Sequence, residues 1–303
     1  MSFLANSLRR PFVANAARFK RFYSAASFAK DIETVDLAFD KHSPASASSK
    51  EPIVFLHGLF GSKVNNRTVS KALAGDLNRD VYCLDLRNHG DSPQIARHDY
   101  PSLAADVEAF IDNKGLGPSI IIGHSMGAKT AMAVSLRRPD IVKALIPVDN
   151  APIDAQLNSS FPRYARAMKR IEASNLKSSK DAFKIMGEVE EDLSIQQFLL
   201  SNLKKAKGES YKFRIPVDIL SKSLDFLSDF PFSPEEARYL GPTMFIRGTE
   251  SHYISDEAFP VMGQFFPKFI VRDVESGHWL IAQKPNEFLE LVEEFVHRDV
   301  DDD

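Results

Sequence analysis

Short apolar runs alternate with segments of helical periodicity along most of the chain. These runs occupy residues 53–56, 81–84, 119–122, 144–148, 243–246 and 269–271. Runs of this kind, separated by helical patterns, are typical of parallel strands that are joined by helices. Ahead of them, Val35, Leu37 and Phe39 alternate with polar residues, which predicts an edge strand. The pattern therefore predicts an α/β fold with a mostly parallel central sheet flanked by helices.

One long helical segment interrupts the series of strands. Residues 151–240 show helix-like periodicity, many charges and little strand character. A segment of that length is too long for a loop, so we predict a helical cap inserted into a core of residues 31–150 and 241–298. The predicted cap contains several phenylalanines that could supply an apolar cover over the sheet, although phenylalanines at such spacing are more often core residues than ligand contacts. They are Phe161, Phe183, Phe198, Phe226, Phe230 and Phe232. The pattern of residues 286–298 predicts an amphipathic helix. Residues 299–303 are predicted to form an acidic, solvated tail.

A glycine-flanked serine follows the third apolar run directly. The pentapeptide Gly123-His124-Ser125-Met126-Gly127 stands between residues 119–122 and a plausible helix over residues 128–134. A strand that turns this sharply into a helix lifts the serine hydroxyl above the sheet edge, and a Cβ at either glycine would collide with neighbouring backbone. Ser125 is therefore the predicted nucleophile.

A serine nucleophile needs a general base at neutral pH, and that base needs a carboxylate to orient it. His278 lies in Glu275-Ser276-Gly277-His278-Trp279, after the last apolar run and before the predicted C-terminal helix. A loop in that position can bring an imidazole to Ser125. His278 is therefore the predicted base.

The acid has more than one candidate. Asp149 directly follows the run 144–148, and the carboxyl ends of parallel strands share one edge of a sheet, so its carboxylate can reach His278. The order serine, aspartate, histidine is also the order that accompanies this serine motif. Glu250 and Asp256 follow the next apolar run, residues 243–246. Ser251 stands there at the place expected for an aspartate. We predict Asp149 as the acid, with those two carboxylates as the alternatives.

Attack on a carbonyl generates an oxyanion that needs two backbone N–H donors, each contributing about 3 kcal/mol. Met126, directly after the nucleophile, is predicted to supply one of them. The glycine-rich loop of residues 56–62 is predicted to supply the other from Leu59. The segment from Asp85 to Ser92 also follows a strand and is interpreted as a network that fixes loops.

The first 30 residues differ in composition from the rest of the chain. They hold six basic residues and no acidic one, and they are rich in Ala and Ser. With no long apolar centre, this composition indicates a mitochondrial transit peptide and a matrix location. Arg21-Phe22-Tyr23-Ser24 resembles a matrix processing site, so we predict a transit peptide over residues 1–23 that is cleaved after Tyr23. The single cysteine, Cys83, excludes a disulfide within one chain and suits a reducing compartment.

Charge and hydropathy argue against a nucleic-acid partner and against a membrane-spanning helix. Beyond residue 30, 32 basic residues stand against 41 acidic ones, and a net charge of −9 disfavours nucleic acid. No apolar stretch reaches the roughly 18 residues of a membrane-spanning helix. The expected partners are small-molecule esters, thioesters or alcohols, and the sequence identifies no protein partner, metal site or cofactor site.

Together these motifs resemble the α/β-hydrolase superfamily, and within it the mitochondrial alpha/beta-hydrolase domain-containing protein 11 group, its bacterial esterase relatives and the yeast ethanol acetyltransferases. The resemblance spans about residues 53–298. Four segments carry it: Gly123 to Lys129, Val148-Asp149-Asn150-Ala151-Pro152, Arg247 to Tyr253, and Ser276-Gly277-His278-Trp279. It implies an α/β-hydrolase fold and a triad of Ser125, Asp149 and His278. Ala128 stands where several members have a third glycine, a change that leaves the Met126 N–H intact.

The resemblance further implies that the acyl group on Ser125 can pass to an alcohol instead of water. Acetyl-CoA would then be the acyl donor, as a substrate and not as a bound cofactor. The expected activity is mitochondrial alcohol O-acetyltransfer with esterase and thioesterase side reactions. The alternatives are a hydrolase that uses water alone, and a catalytically silent hydrolase fold that acts as a binding protein.

Overall fold

The computed structural model describes residues 32–154, 160–205 and 209–301. The predicted transit peptide, residues 1–23, lies outside the described residues. Nine strands and eleven α-helices are described within these ranges. The strands are β1 Phe39–His42, β2 Ile53–Leu56, β3 Val81–Leu84, β4 Ser119–His124, β5 Val142–Val148, β6 Leu203–Lys205, β7 Tyr211–Phe213, β8 Thr243–Gly248 and β9 Phe269–Val274.

The helices follow the strands in alternation through the core. They are α1 Arg67–Asp76, α2 Tyr100–Lys114, α3 Met126–Arg137, α4 Ser160–Ala173, α5 Ser179–Gly187, α6 Leu193–Leu200, α7 Val217–Lys222, α8 Leu224–Ser228, α9 Phe259–Phe265, α10 Leu280–Gln283 and α11 Pro285–Val296. Among the described residues, no helix combines the length and the apolar character needed to cross a bilayer.

Seven strands form one sheet in the order β1-β3-β2-β4-β5-β8-β9. All neighbouring pairs are parallel except β1 with β3. Strands β2, β3 and β4 are buried along their whole length, as apolar runs covered on both faces should be. One face packs with α2, α3 and the inserted segment, and the other packs with α1 and α11. The predicted α/β fold with a mostly parallel central sheet flanked by helices is thus confirmed.

The predicted edge strand lies further along the chain than its pattern indicates. Val35 and Leu37 precede β1, which begins at Phe39. The Val35 N–H donates to Asp106 Oδ1 and the Ala38 N–H donates to Ser92 Oγ, both at 2.9 Å. Side chains therefore satisfy this backbone, so alternation alone overestimated the strand.

The cap region, residues 151–240, contains helices α4 to α8 and the hairpin β6–β7. Nothing in the sequence pattern predicts the hairpin. Lys129, on the helix after Ser125, is buried and its Nζ donates to the carbonyls of Ile153, Ser228 and Asp229. These bonds fix the two ends of the region onto α3.

The C-terminal end is held against the core. Helix α11 ends at Val296 and a π-helical turn covers residues 297–301. Asp301, in the predicted acidic tail, pairs with the buried Arg79 and with Lys50. The start of this tail is therefore tied to the core by Asp301, which shares Arg79 with Glu51.

Candidate active site

Ser125 lies in a sharp turn between β4 and α3. Its φ angle is 56°, a left-handed conformation that is uncommon for a residue with a side chain. A Cβ on Gly123 would overlap the carbonyl of Gly127, and a Cβ on Gly127 would overlap the carbonyl of Leu56. Both positions therefore require glycine. The turn presents the Ser125 hydroxyl at the carboxyl edge of the sheet.

The structure brings the three predicted catalytic side chains together. His278 Nε2 lies 2.8 Å from Ser125 Oγ, and His278 Nδ1 lies 2.7 Å from Asp149 Oδ2. These distances allow the hydroxyl to donate to Nε2 while Nδ1–H donates to the carboxylate. A continuous hydrogen-bonded chain thus links residues that are 153 and 129 positions apart in sequence.

The Asp149 carboxylate is fully buried and accepts two further hydrogen bonds. The Gly248 N–H donates to Oδ1 at 3.1 Å, and the Ser251 hydroxyl donates to Oδ2 at 2.6 Å. These donors satisfy carboxylate oxygens that burial removes from water. The sequence marks Ser251 only as a residue standing at an expected acid position, and nothing in it predicts this bond.

The two alternative acids have other environments. Asp256 is exposed and pairs with Arg247 at 2.6 Å. Glu250 is also exposed. The carboxylate that contacts His278 is that of Asp149, directly after β5.

The loop after β2 lies against the nucleophile. A Cβ on Gly58 would lie 3.2 Å from Ser125 Cβ. Leu59 and Met126, predicted as oxyanion donors, are buried on this loop and at the start of α3, and neither N–H donates to another described residue. Their role in binding an oxyanion remains a prediction.

Buried histidines hold this loop in place. Phe60, with φ at 64°, donates its N–H to His89 Nε2 at 3.1 Å, and Leu86 donates its N–H to His57 Nε2 at 3.0 Å. Each ring accepts at Nε2, so each is neutral with its proton on Nδ1. Burial lowers the pKa of both histidines, which favours the neutral form. The sequence predicts none of these contacts.

The segment after β3 also fixes this loop. The Asp85 carboxylate accepts hydrogen bonds from the Lys63 and Asp91 N–H groups and from Lys63 Nζ. The structure therefore confirms the predicted network within residues 85–92. It acts on the loop that carries Leu59.

Further buried histidines make stability depend on pH. Burial lowers the pKa of His98 to about 3 and, together with nearby His278, that of His124 to about 4. Unfolded histidine has a pKa of about 6.5, so below that pH the unfolded state binds more protons than the folded state. We therefore expect the free energy of unfolding to fall as pH drops from about 6.5 to about 4, by up to about 1.4 kcal/mol per pH unit for each buried histidine.

Urea unfolding between pH 4.5 and 7.5 checks this expectation. His98→Asn keeps an acceptor for Asn88 Nδ2 but cannot titrate, so its stability should depend less steeply on pH. His252→Asn, at an exposed position, is the matched control and should keep the wild-type slope. An equal pH dependence of the free energy of unfolding in all three proteins would contradict the contribution assigned to His98.

Aromatic side chains surround the His278 ring. Tyr253 stacks on it with a centroid distance of 4.2 Å, and Phe161 of the cap region meets it edge-on at 6.2 Å. Phe198 packs on Trp279 at 4.8 Å. Phe161 and Phe198 therefore lie near the site as an apolar cover would require, but Phe226 is 62% exposed and contributes nothing to it.

Comparison with known proteins gives the same architecture. A family model described as alpha/beta hydrolase fold matches residues 51–285. A probable alcohol acetyltransferase of Saccharomyces cerevisiae is 40% identical over 83% of this chain and 79% of its own length. An sn-1-specific diacylglycerol lipase ABHD11 of Xenopus laevis is 37% identical, over 86% of this chain and 84% of its own. Among solved structures, a marine microorganism esterase is 31% identical with a TM-score of 0.80, over 86% of this chain and all of its own.

Proposed function

Because the chain belongs to the α/β-hydrolase fold family, we propose that it is a serine acyl-transfer enzyme in which Ser125, His278 and Asp149 form the catalytic triad. The observation that carries this proposal is the hydrogen-bonded chain from Ser125 Oγ through both nitrogens of His278 to the buried Asp149 carboxylate. A chain of this kind makes a serine nucleophilic and fixes the tautomer of its base.

The first half of the reaction forms an acyl-enzyme. His278 Nε2 takes the Ser125 proton as Oγ attacks the carbonyl carbon of an ester or thioester. The carbonyl oxygen becomes an oxyanion, which the N–H groups of Leu59 and Met126 stabilise. As the bond to the leaving group breaks, His278 returns the proton to the leaving oxygen or sulfur. Asp149 stays ionised and stabilises the imidazolium.

The second half passes the acyl group to an acceptor. His278 removes a proton from an alcohol or from water, and that oxygen attacks the acyl carbon and releases Ser125. The preferred acceptor is an alcohol, with acetyl-CoA as the acyl donor, so that the products are an acetate ester and free CoA. The relatives named probable alcohol acetyltransferase, of Saccharomyces cerevisiae, and ethanol acetyltransferase 1, of Cyberlindnera fabianii, support this choice. Esterase and thioesterase activities follow when water is the acceptor, and the site of action is the mitochondrial matrix.

A hydrolase that uses only water is the second candidate. The relatives named as lipases and the esterase structure support it. Bulk water wins by concentration unless the site is dry and holds the alcohol. The two candidates therefore differ in the acceptor and share the acyl-enzyme.

Product analysis separates the two candidates. Purified protein is incubated with acetyl-CoA and a series of alcohols of increasing chain length, and acetate ester and free acetate are measured together. We expect the ester to form and its share of the product to rise with alcohol concentration. Acetate alone, at every alcohol concentration, would contradict the acyltransferase assignment and leave the hydrolase. Ser125→Ala, which should form neither product, is the control.

A further inference from the structure

The three residues of the proposed triad are supported by the fold in different ways. The Ser125 N–H donates to the Val148 carbonyl at 2.9 Å, and the Asp149 N–H donates to the Ile246 carbonyl at 2.8 Å, so neighbouring strands fix the backbone of both residues. His278 lies instead in the loop between β9 and α10. A residue on a loop needs a further anchor if its imidazole is to stay in line with the nucleophile.

The side chain of His124 supplies such an anchor. Its Nε2 lies 2.8 Å from the carbonyl oxygen of His278, 154 positions away in sequence. A carbonyl oxygen only accepts, so Nε2 carries the proton and donates it. The two imidazole rings also pack together, with centroids 5.0 Å apart and an interplanar angle of 37°. Because His124 directly precedes Ser125, this bond ties the backbone of the base to the turn that carries the nucleophile.

The ring of His124 is itself confined. It is buried, a Cβ on Gly58 would lie 3.2 Å from its Nδ1, and Trp279 packs against it with a centroid distance of 6.1 Å. Burial and the neighbouring His278 lower the pKa of His124 to about 4, so the ring is neutral at neutral pH. It therefore adds no positive charge beside the imidazolium that forms on His278.

The anchor has its largest effect after the acyl-enzyme has formed. In the resting protein the Ser125 hydroxyl donates to His278 Nε2. Acylation turns Oγ into an ester oxygen without a proton, so this hydrogen bond is lost. Nε2 then accepts the proton of the alcohol or water as the new O–C bond forms, and returns it to Oγ as the acyl bond breaks. Through this step the bonds of His278 to Asp149 and His124 remain.

We propose that His124 is a positioning residue that keeps His278 aligned in the acyl-enzyme, and that it serves the transfer of the acyl group to the acceptor more than the formation of the acyl-enzyme. The inference rests on the proposed function, because it assigns a role within the same reaction. His124 acts through the His278 carbonyl and takes no proton from substrate. A bond that only stabilised the fold would affect both halves of the reaction equally.

Two substitutions separate the donor of His124 from its ring. His124→Phe keeps an aromatic ring but has no N–H for the His278 carbonyl. His124→Gln loses the ring but places an amide N–H near the position of Nε2. His42→Phe is the matched control, because it makes the same change at the half-buried end of β1, three strands from β4 in the sheet. Circular dichroism and thermal unfolding check that each variant is folded.

Stopped-flow mixing of the full-length protein with p-nitrophenyl acetate measures the two halves separately. The first phase of p-nitrophenolate release reports formation of the acyl-enzyme, and the steady phase reports transfer of the acetyl group to water. We expect His124→Phe to slow the steady phase by about tenfold or more and the first phase by less than about threefold, so that kcat and KM fall together. His124→Gln should recover most of the steady rate, and His42→Phe should match the wild type.

Three results would overturn the role of His124 while the wild type still turns over the ester. They are an unchanged steady phase in folded His124→Phe, an equal loss in both phases, and an equal loss in His124→Phe and His124→Gln. The proposed function would stand in each of these cases. A wild-type protein that shows neither a first phase nor turnover would contradict the proposed function, and the role of His124 would fall with it.

Discussion

Replacing Ser125 with alanine is expected to lower acyl-transfer activity by roughly 10⁴- to 10⁶-fold. The variant keeps the backbone, His278 and Asp149 but lacks the oxygen that forms the acyl-enzyme. The substitution removes one hydroxyl, so the midpoint of thermal unfolding should stay within a few degrees of the wild-type value. The release of free CoA from acetyl-CoA, measured with a thiol reagent, checks the activity, and circular dichroism checks the fold.

The matched control for this variant is Ser135→Ala. Ser135 is also buried, on α3, and its hydroxyl donates only to the Met132 carbonyl of its own helix. Its activity should remain near the wild-type level. Turnover by Ser125→Ala at the wild-type rate would contradict the mechanism. Absence of turnover in both the wild type and the variant would instead favour the interpretation of the fold as a catalytically silent binding protein.

Asp149→Asn is expected to reduce turnover by about 10²- to 10⁴-fold. The asparagine cannot stabilise the imidazolium, and its amide can donate to His278 Nδ1 and so favour the wrong tautomer. Glu250→Gln should leave turnover within about twofold, because Glu250 is exposed and the carboxylate bound to the imidazole is that of Asp149. Initial rates of ester hydrolysis for the two variants give the ranking. The reverse ranking would place the acid in the loop after β8.

A second substitution tests whether a carboxylate from the neighbouring strand can replace Asp149. Ser251 Oγ lies 2.6 Å from Asp149 Oδ2, so an aspartate at position 251 would carry its charge close to His278. Ser251→Asp, added to Asp149→Asn, should recover about tenfold or more of the lost rate. Ser251→Ala in the same background is the control and should recover none. Equal rates in the two double variants would contradict the idea that a carboxylate from the neighbouring strand can take over this role.

Local pattern was sufficient to predict the sheet and the nucleophile turn. Apolar runs mark β2, β3, β4, β5 and β8, because strands covered on both faces must be largely apolar. The run in β9, at the edge of the sheet, is shorter and only partly buried. Ser125 was recognisable because close backbone packing forces glycine at positions 123 and 127. Asp149 could be placed from topology, since β4 and β5 are adjacent parallel strands that end at the same edge.

Contacts between distant residues could not be read from the sequence. The Ser251 bond to Asp149 joins residues 102 positions apart, and the Phe60 bond to His89 depends on a left-handed turn at a phenylalanine. The first strand was misplaced because side-chain acceptors, which no periodicity records, satisfy the backbone of residues 35 and 38. In each case a tertiary contact decides the local structure.

The central claim is that the Ser125 hydroxyl is activated by the imidazole beside it. A fluorophosphonate probe, which reacts far faster with an activated serine than with an ordinary one, tests this claim most directly when peptide mass spectrometry locates the adduct. We expect one adduct, on the peptide that contains Ser125, in the wild type and none in Ser125→Ala. An unlabelled wild-type protein, or an adduct on another serine, would contradict the claim.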